Sequence, residues 1–209
     1  MFKNIRHIIF DLGGVLLNID YSLTETAFID LGISNFPELY SQMQQTPLFD
    51  NFETGKIPRE KFIEELQKLS PVHVTNEQVV QAWNAMLLDF PLRRLQLLQQ
   101  LRLYHDLILL SNTNEVHEEA FNKILKDAHG AILPAYFDRV YYSHRIGMRK
   151  PSQEIFQRIL KECGFEAMQT LFIDDSPQHI VTAKALGIQT IFLEKGMTIE
   201  KDIFRPRDM

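Results

Sequence analysis

The sequence predicts an α/β fold in which helices cover both faces of a parallel β-sheet, with a helical segment inserted early in the chain. Two patterns predict this arrangement. Short apolar runs alternate with amphipathic segments in the second half of the chain, which is typical of parallel strands that are connected by helices. The stretch between Val15 and about Asp89 has helical periodicity and no good strand candidate.

The first predicted strand is the apolar run at residues 7–10, which ends at Asp11 and is followed by Gly13 and Gly14. An apolar run of this length is typical of a strand that is buried on both faces. The two glycines allow the backbone to turn sharply and to approach whatever Asp11 contacts. Asp11 could be a metal ligand, a base or a nucleophile, or an acid that only happens to end the strand.

Four helices are predicted in the inserted segment, and each has its own start signal. In chain order, these signals are a Ser22–Glu25 capping box, Pro37, Pro58 and a Thr75–Gln78 capping box. Gly32 is placed to end the first helix, and the weaker second helix is expected to reach about Gln44. We therefore expect this segment to be a small all-helical unit.

From Pro91 onward, helices alternate with strands. The predicted helices lie at 91–101, 116–125, 155–163 and 176–187, and the predicted strands at 107–110, 139–142, 170–173 and 190–193. The simplest arrangement is a three-layer, Rossmann-like core formed by residues 1–16 and 90–209. Residues 17–89 are then an all-helical cap inserted after the first strand.

Composition narrows the classes of partner. The formal net charge of −5 gives no strongly basic surface for nucleic acid. Cys163 is the only cysteine, which excludes an internal disulfide and a zinc site built from several thiolates, and fits a reducing cytoplasm. The apolar runs are too short to span a membrane. We expect a cytoplasmic protein with neither nucleic-acid nor membrane partners, and both a monomer and a homodimer remain open.

Polar residues follow four of the predicted strands. Asp11 follows the first, Ser111 and Asn112 the second, Lys150 lies in the loop after the third, and Asp174–Asp175 follow the fourth. Because the carboxyl ends of parallel strands meet at one edge of a sheet, we expect these side chains to share one crevice.

Each of these residue types has a use in phosphoryl transfer, which requires positioning and neutralisation of the phosphoryl charge. Asp11 could attack phosphorus and form an aspartyl phosphate. Mg²⁺ prefers oxygen ligands, and Asp11, Asp175 and the Gly13 carbonyl could supply three of them. Ser111 and the side-chain amide or backbone of Asn112 could bind phosphoryl oxygens, and Lys150 could offset the remaining negative charge.

Structural roles are open for several of the same residues. Ser111 and Asn114 could cap the next helix, and Lys150 could be a solvated loop residue. The pair Asp174–Asp175 could serve only to form a turn and cap the next helix, although two acids that end a buried strand repel each other without a cation. His179 could be structural or could lie at the rim of the site.

The motifs resemble those of the haloacid dehalogenase superfamily of phosphohydrolases. The resembling segments are IFDLGGV at 9–15, LLSN at 109–112, GMRKP at 147–151, FIDDS at 172–176 and, in the cap, FETGKI at 52–57. A helical insertion between the first and second motifs resembles the subclass I arrangement. The resemblance implies that Asp11 is the nucleophile and that Ser111 and Lys150 bind phosphate. It also implies that Asp175 ligates Mg²⁺ directly, and that Asp174 helps directly or through water.

Gly13 departs from the family pattern. Most phosphatases of this family carry there a second aspartate, which protonates the leaving group and later activates water. Three explanations remain open: a weakly basic leaving group such as an anomeric hydroxyl, a substitute acid at Asp20 or Glu53, or a slow or degenerate enzyme. In having a glycine at this position, the sequence resembles the branch of the family that acts on α-D-glucose 1-phosphate.

We therefore expect a Mg²⁺-dependent phosphatase of small phosphorylated metabolites, with sugar phosphates as one candidate class. The alternative is a non-catalytic or degenerate protein of the same fold that binds its ligand without turnover. A receiver-like signalling module is disfavoured, because receivers do not place their phospho-acceptor on the first strand.

Overall fold

In a computed structural model, which describes residues 4–40 and 46–204, the chain forms a five-stranded sheet in the order β3-β2-β1-β4-β5. The strands are β1 His7–Phe10, β2 Asp106–Ser111, β3 Arg139–Tyr142, β4 Thr170–Asp174 and β5 Gln189–Phe192. Every neighbouring pair is parallel. The predicted parallel α/β fold is confirmed, and the strand positions agree with the predicted ones to within one residue at each end.

Strand β1 lies at the centre of the sheet, and its register determines which residues share an edge. Phe10 lies opposite Leu109 of β2 and Ile173 of β4. The Asp11 N–H donates to the Ile173 carbonyl at 3.0 Å, so the ladder continues one residue past the strand. Residues that follow β1, β2 and β4 therefore meet at the carboxyl edge of the sheet.

Helices cover both faces of the sheet. The α-helices of the described residues are α1 Tyr21–Asp30, α2 Phe36–Leu39, α3 Pro47–Glu53, α4 Arg59–Leu69, α5 Asn76–Asn84, α6 Leu92–Leu101, α7 Glu115–His129, α8 Ser143–Ile146, α9 Gln153–Cys163 and α10 Pro177–Ala185. Ile8 and Phe10 share an apolar cluster with α6 and α7, whereas Ile9 shares another with α9 and α10. Alternation along a strand sends successive side chains to opposite faces, which gives the three layers.

Helices α1–α5 supply most of an apolar cluster around the buried Trp83, which Val116 of α7 also joins. Phe28, Phe49 and Phe62 contact the Trp83 ring with centroid distances of 6.5, 5.4 and 5.2 Å. In the described part of residues 15–89 the structure contains isolated β-bridges but no strand. Because nearly all of its members lie between residues 28 and 86, this cluster supports the division into a core (1–16 and 90–209) and a cap (17–89), which stays a proposal.

Two predicted details of the cap differ from the structure. Helix α1 is capped by Asp20, whose carboxylate accepts from the Ser22 N–H at 3.0 Å, so the predicted Ser22–Glu25 capping box is wrong. Aspartate is as good an N-cap as serine, and here it lies two residues earlier in the chain. The capping box of Thr75 and Gln78 is confirmed.

The predicted second helix is shorter than expected. Helix α2 covers Phe36–Leu39, and the rest of the predicted span to Gln44 lies outside the described residues after Tyr40. Helix α3 was not predicted, because its seven residues are too few to show helical periodicity. No helix of the described residues is both long and apolar enough to cross a bilayer.

Candidate active site

Three carboxylates gather at the carboxyl edge of the sheet. Asp11 follows β1, Asp174 ends β4 and Asp175 follows it, and one carboxylate oxygen from each lies within 4.8 Å of the others. Such closely spaced acids repel one another unless cations lie among them. The structure thus brings together the acids that the sequence predicted at one edge.

Lys150 is the cation in contact with two of these acids. Its side chain is fully buried, and its Nζ lies 2.7 Å from both Asp11 Oδ1 and Asp174 Oδ2. Burial by itself lowers the pKa of Lys150, but the two carboxylates outweigh it and hold the pKa above its usual value. Lys150 is therefore a buried ammonium, and the alternative of a solvated loop residue is wrong.

Asp174 is enclosed by donors. Besides Lys150, its carboxylate accepts from the Ser176 N–H at 2.7 Å and bonds His179 Nδ1 at 2.9 Å. Burial by itself raises the pKa of Asp174, but Lys150 and His179 outweigh it and lower the pKa. Because both oxygens are already engaged, Asp174 holds Lys150 and His179 in place, and His179 lies at the wall of the site as a structural partner.

Asp11 is more accessible than Asp174. Its side chain is 12% exposed, against 0% for that of Asp174, and it lines a cavity at this edge of the sheet. Burial raises the pKa of Asp11, and the nearby charge of Asp174 adds to this, although Lys150 acts in the opposite direction. Of the two acids that share Lys150, Asp11 is the one that a ligand in the cavity can reach.

The backbone beside these acids requires glycine at position 14. Gly14 has φ +73°, a left-handed conformation that side chains disfavour, and a Cβ there would collide with the Asp175 carboxylate. The chain thus approaches Asp175 more closely than any other residue type would allow. Clustered carboxylates beside a closely approaching backbone are the oxygen-rich environment that Mg²⁺ prefers. The residues present fit magnesium as the cofactor.

The last residue of β2 and the residues that follow it have different roles. Ser111 is buried at the cavity wall. The Asn112 side chain accepts from the Lys150 N–H at 2.9 Å and donates to the Lys150 carbonyl at 2.8 Å. Its side-chain amide is thereby engaged in positioning Lys150. Asn114 caps α7 by accepting from the His117 N–H at 3.0 Å.

A cavity of about 80 Å³ lies over these groups. It is lined on the core side by Asp11, Gly13, Ser111, Asn112, Lys150, Asp175 and His179, and on the cap side by Ile19, Tyr21, Tyr40, Glu53, Met86 and Leu87. Tyr21 and Tyr40 could not be recognised from the sequence, because aromatic residues in an apolar helical stripe are typical of a core. Arg149, which also lines the cavity, stands next to Lys150 in its motif and could have been found from that position.

The position of the missing acid is filled by another side chain. A Cβ at Gly13 would point at Ile19 and lie 2.9 Å from its Cδ1 atom. Of the two predicted substitutes, Asp20 is exposed and caps α1, and it does not line the cavity. Glu53 is buried, lines the cavity and pairs with Arg149 at 3.1 Å. Only Glu53 is therefore placed to contact a bound substrate.

Comparison with known proteins agrees with this geometry. Residues 5–187 match the model of a hydrolase family described as haloacid dehalogenase-like. The chain is 33% identical over 192 residues to a D-ribitol-5-phosphate phosphatase of Bacteroides thetaiotaomicron, and the match covers 92% of this chain and 93% of that protein.

Solved structures give the same result. A HAD family enzyme of Bacteroides thetaiotaomicron, in complex with magnesium and inorganic phosphate, is similar with a TM-score of 0.86 and 32% identity, over 96% of this chain and 100% of that one. A predicted HAD-like family hydrolase of Porphyromonas gingivalis is similar with a TM-score of 0.85 and 32% identity, over 96% and 95% of the two chains.

Proposed function

Because the chain belongs to the haloacid dehalogenase-like hydrolases and is a phosphatase of that family, we propose that it hydrolyses small phosphorylated metabolites through an aspartyl phosphate on Asp11. The observation that carries this proposal is the buried Lys150 ammonium, which lies 2.7 Å from the Asp11 carboxylate at the floor of the cavity. This ammonium can offset the charge of a phosphoryl group that approaches Asp11.

The proposed magnesium ligands are Asp11, Asp175 and the Gly13 carbonyl. Magnesium supplies positive charge that neutralises phosphoryl oxygens when it is bound. Asp174 is close enough to belong to the same acidic cluster, but its oxygens already accept from Lys150, Ser176 and His179. We therefore propose that Asp174 orients Lys150 and contributes to the metal site only indirectly.

In the proposed first step, an Asp11 oxygen forms a bond to phosphorus while the bond between phosphorus and the leaving-group oxygen breaks. Lys150, the Ser111 hydroxyl and the Asn112 N–H hold the phosphoryl oxygens. Since Gly13 has no side chain, the proton for the leaving oxygen comes from water. In the second step, water attacks phosphorus, which releases inorganic phosphate and restores the Asp11 carboxylate.

We propose a monoester of a small sugar or polyol as the substrate. The similarity to a D-ribitol-5-phosphate phosphatase supports this class. The earlier interpretation of α-D-glucose 1-phosphate as the substrate stays a prediction, which rests on Gly13 alone.

Phosphate release in the presence of Mg²⁺ tests the proposal. The substrates are p-nitrophenyl phosphate, D-ribitol 5-phosphate and α-D-glucose 1-phosphate, and wild type is compared with Asp11→Asn and with Asp127→Asn. Asp127 is an exposed residue that pairs with Lys123 on α7 and serves as the matched control.

We expect turnover in wild type and Asp127→Asn, a loss of at least about 10³-fold in folded Asp11→Asn, and no turnover after chelation of the metal. Undiminished turnover in Asp11→Asn would refute the aspartyl-phosphate mechanism. Magnesium binding without turnover on any ester would instead favour the non-catalytic binding protein.

A further inference from the structure

We propose that Glu53 makes the enzyme select phosphate esters of uncharged polyhydroxy alcohols and reject esters whose leaving group carries a second anionic group. This inference rests on the proposed phosphatase function and names the substrate class for that site. It concerns the part of the cavity that faces the cap, where the leaving group lies when the phosphoryl group contacts Asp11 and Lys150.

Glu53 occupies this cap-facing wall. It is the last residue of α3, it is only 4% exposed, and it lines the same cavity as Asp11 and Asp175. A charged residue at such low exposure loses most of its hydration and persists only with a partner. Glu53 therefore needs a cationic or hydrogen-bonding partner at the cavity wall.

Arg149 is that partner and connects Glu53 to the phosphate site. Its Nη2 lies 3.1 Å from Glu53 Oε2, and its Nη1 lies 3.0 Å from Asp50 Oδ1. Arg149 is the backbone neighbour of Lys150, so the core segment that places the ammonium beside Asp11 also fixes Glu53. Since a guanidinium is permanently charged, this pairing places a carboxylate on the wall.

The arginine and the lysine of the described cavity lining already have anionic partners. Among the described residues that line the cavity, Arg149 is paired with Asp50 and Glu53, and Lys150 is paired with Asp11 and Asp174. A carboxylate or second phosphate on the leaving group would therefore meet Glu53 without compensation, and like charges in a buried site repel strongly.

The same wall is suited to hydroxyl groups. A carboxylate accepts hydrogen bonds from alcohols, and Tyr21 and Tyr40 add phenol groups to the cavity wall. A tyrosine phenol is neutral near pH 7 and can both donate and accept a hydrogen bond. A polyol presents hydroxyls that both donate and accept, which matches this combination.

Two substrates that differ only at the far end of the leaving group test the proposal. Glucitol 6-phosphate and 6-phosphogluconate share one six-carbon chain, but a carboxylate replaces the terminal CH₂OH group in the second. We would measure kcat/KM for both, and for p-nitrophenyl phosphate, in wild type, Glu53→Gln and Asp50→Asn. Asp50 is the matched control, because it pairs with the same arginine but is 42% exposed and does not line the cavity.

We expect wild type to prefer glucitol 6-phosphate by at least about 100-fold, which is roughly 3 kcal/mol. Glu53→Gln should reduce this preference at least tenfold, chiefly by raising kcat/KM for 6-phosphogluconate, and Asp50→Asn should keep it within twofold. The wild-type ratio is informative even if Glu53→Gln does not fold, since a preference below threefold would overturn the proposal.

Two results with the variant would also overturn it. One is an unchanged preference in folded Glu53→Gln. The other is an equal loss on both sugar esters with p-nitrophenyl phosphate spared, which is the pattern of a lost proton donor. Wild type that releases no phosphate from any of the three esters would instead contradict the proposed function itself.

Discussion

Placing an aspartate at position 13 should speed the hydrolysis of alkyl phosphates, provided that Ile19 makes room for it. Gly13 is not in the left-handed region, so its backbone accepts a side chain. The obstacle is local, because the new Cβ would lie 2.9 Å from Ile19 Cδ1 and 3.8 Å from Ile19 Cγ2. Ile19→Val removes the obstructing Cδ1 atom and keeps the other branch, so Gly13→Asp with Ile19→Val is the matched double variant.

The expected gain follows from these contacts and from the chemistry. Carbon atoms in contact prefer a separation of about 3.5–4.0 Å, so Ile19 Cδ1 must move by roughly 0.6 Å or more in Gly13→Asp alone. Forcing a side chain off its rotamer costs about 1 kcal/mol, which the double variant avoids. A positioned general acid contributes about 10²–10⁴-fold in rate, or roughly 3–5 kcal/mol of barrier. We expect kcat for the alkyl ester to rise at least about 10²-fold in the double variant, and to rise by less in Gly13→Asp alone.

The assay compares D-ribitol 5-phosphate with p-nitrophenyl phosphate in wild type, both single variants and the double variant. An alkoxide leaving group needs a proton, whereas p-nitrophenolate leaves readily without one, so the gain should be confined to the alkyl ester. Ile19→Val alone should leave both rates nearly unchanged. A folded, magnesium-binding double variant with no gain, or with an equal gain on both esters, would refute the reasoning.

Two further predictions concern stability and metal affinity. Burial lowers the pKa of His117 from 6.5 to about 4, so the unfolded chain binds a proton first as the pH falls, and stability declines between these values. Between pH 7.5 and pH 4, wild type should lose about 3 kcal/mol of unfolding free energy relative to His117→Gln, as measured by urea unfolding. Substitution of the exposed His73 by glutamine serves as the control and should not produce this pH-dependent difference from wild type. A difference between wild type and His117→Gln that stays constant with pH would contradict the prediction. Gly14→Ala should weaken magnesium binding at least tenfold by displacing Asp175, as measured by calorimetry. The control is Gly130→Ala, which has a similar φ of +66° and no neighbour within 4 Å, and which should leave the affinity for magnesium unchanged. Equal affinities of the two variants would show that Asp175 is not a magnesium ligand.

Sequence reasoning succeeded where a local signal determines the structure. The apolar run before Asp11 predicted β1, because a short run of this kind is typical of a central parallel strand. Thr75 and Gln78 predicted the start of α5, because both groups of the capping box lie within one turn. The convergence of Asp11 with Asp174 was also predictable, since it follows from strand direction alone.

The cap-facing half of the site could not be predicted in the same way. The pairing of Glu53 with Arg149 joins residues almost one hundred positions apart, and its geometry depends on how α3 packs. The filling of the space beside Gly13 by Ile19 is likewise a packing result that no spacing rule gives. Lys150 shows the intermediate case, because its motif predicted its place in the chain but not its complete burial between two acids.

The central position of β1 has a consequence for synthesis of the protein. His7 pairs with Asp106 on one side and with Thr170 on the other, so β1 is made about 100 residues before β2 and about 160 residues before β4. At roughly 5–20 residues per second, a ribosome needs about 5–20 seconds to cover the interval to β2. During that time the buried Ile8, Ile9 and Phe10 have no neighbouring strand to pair with. The strand that precedes Asp11 thus leaves the ribosome as an apolar segment whose partner strands have not yet been made.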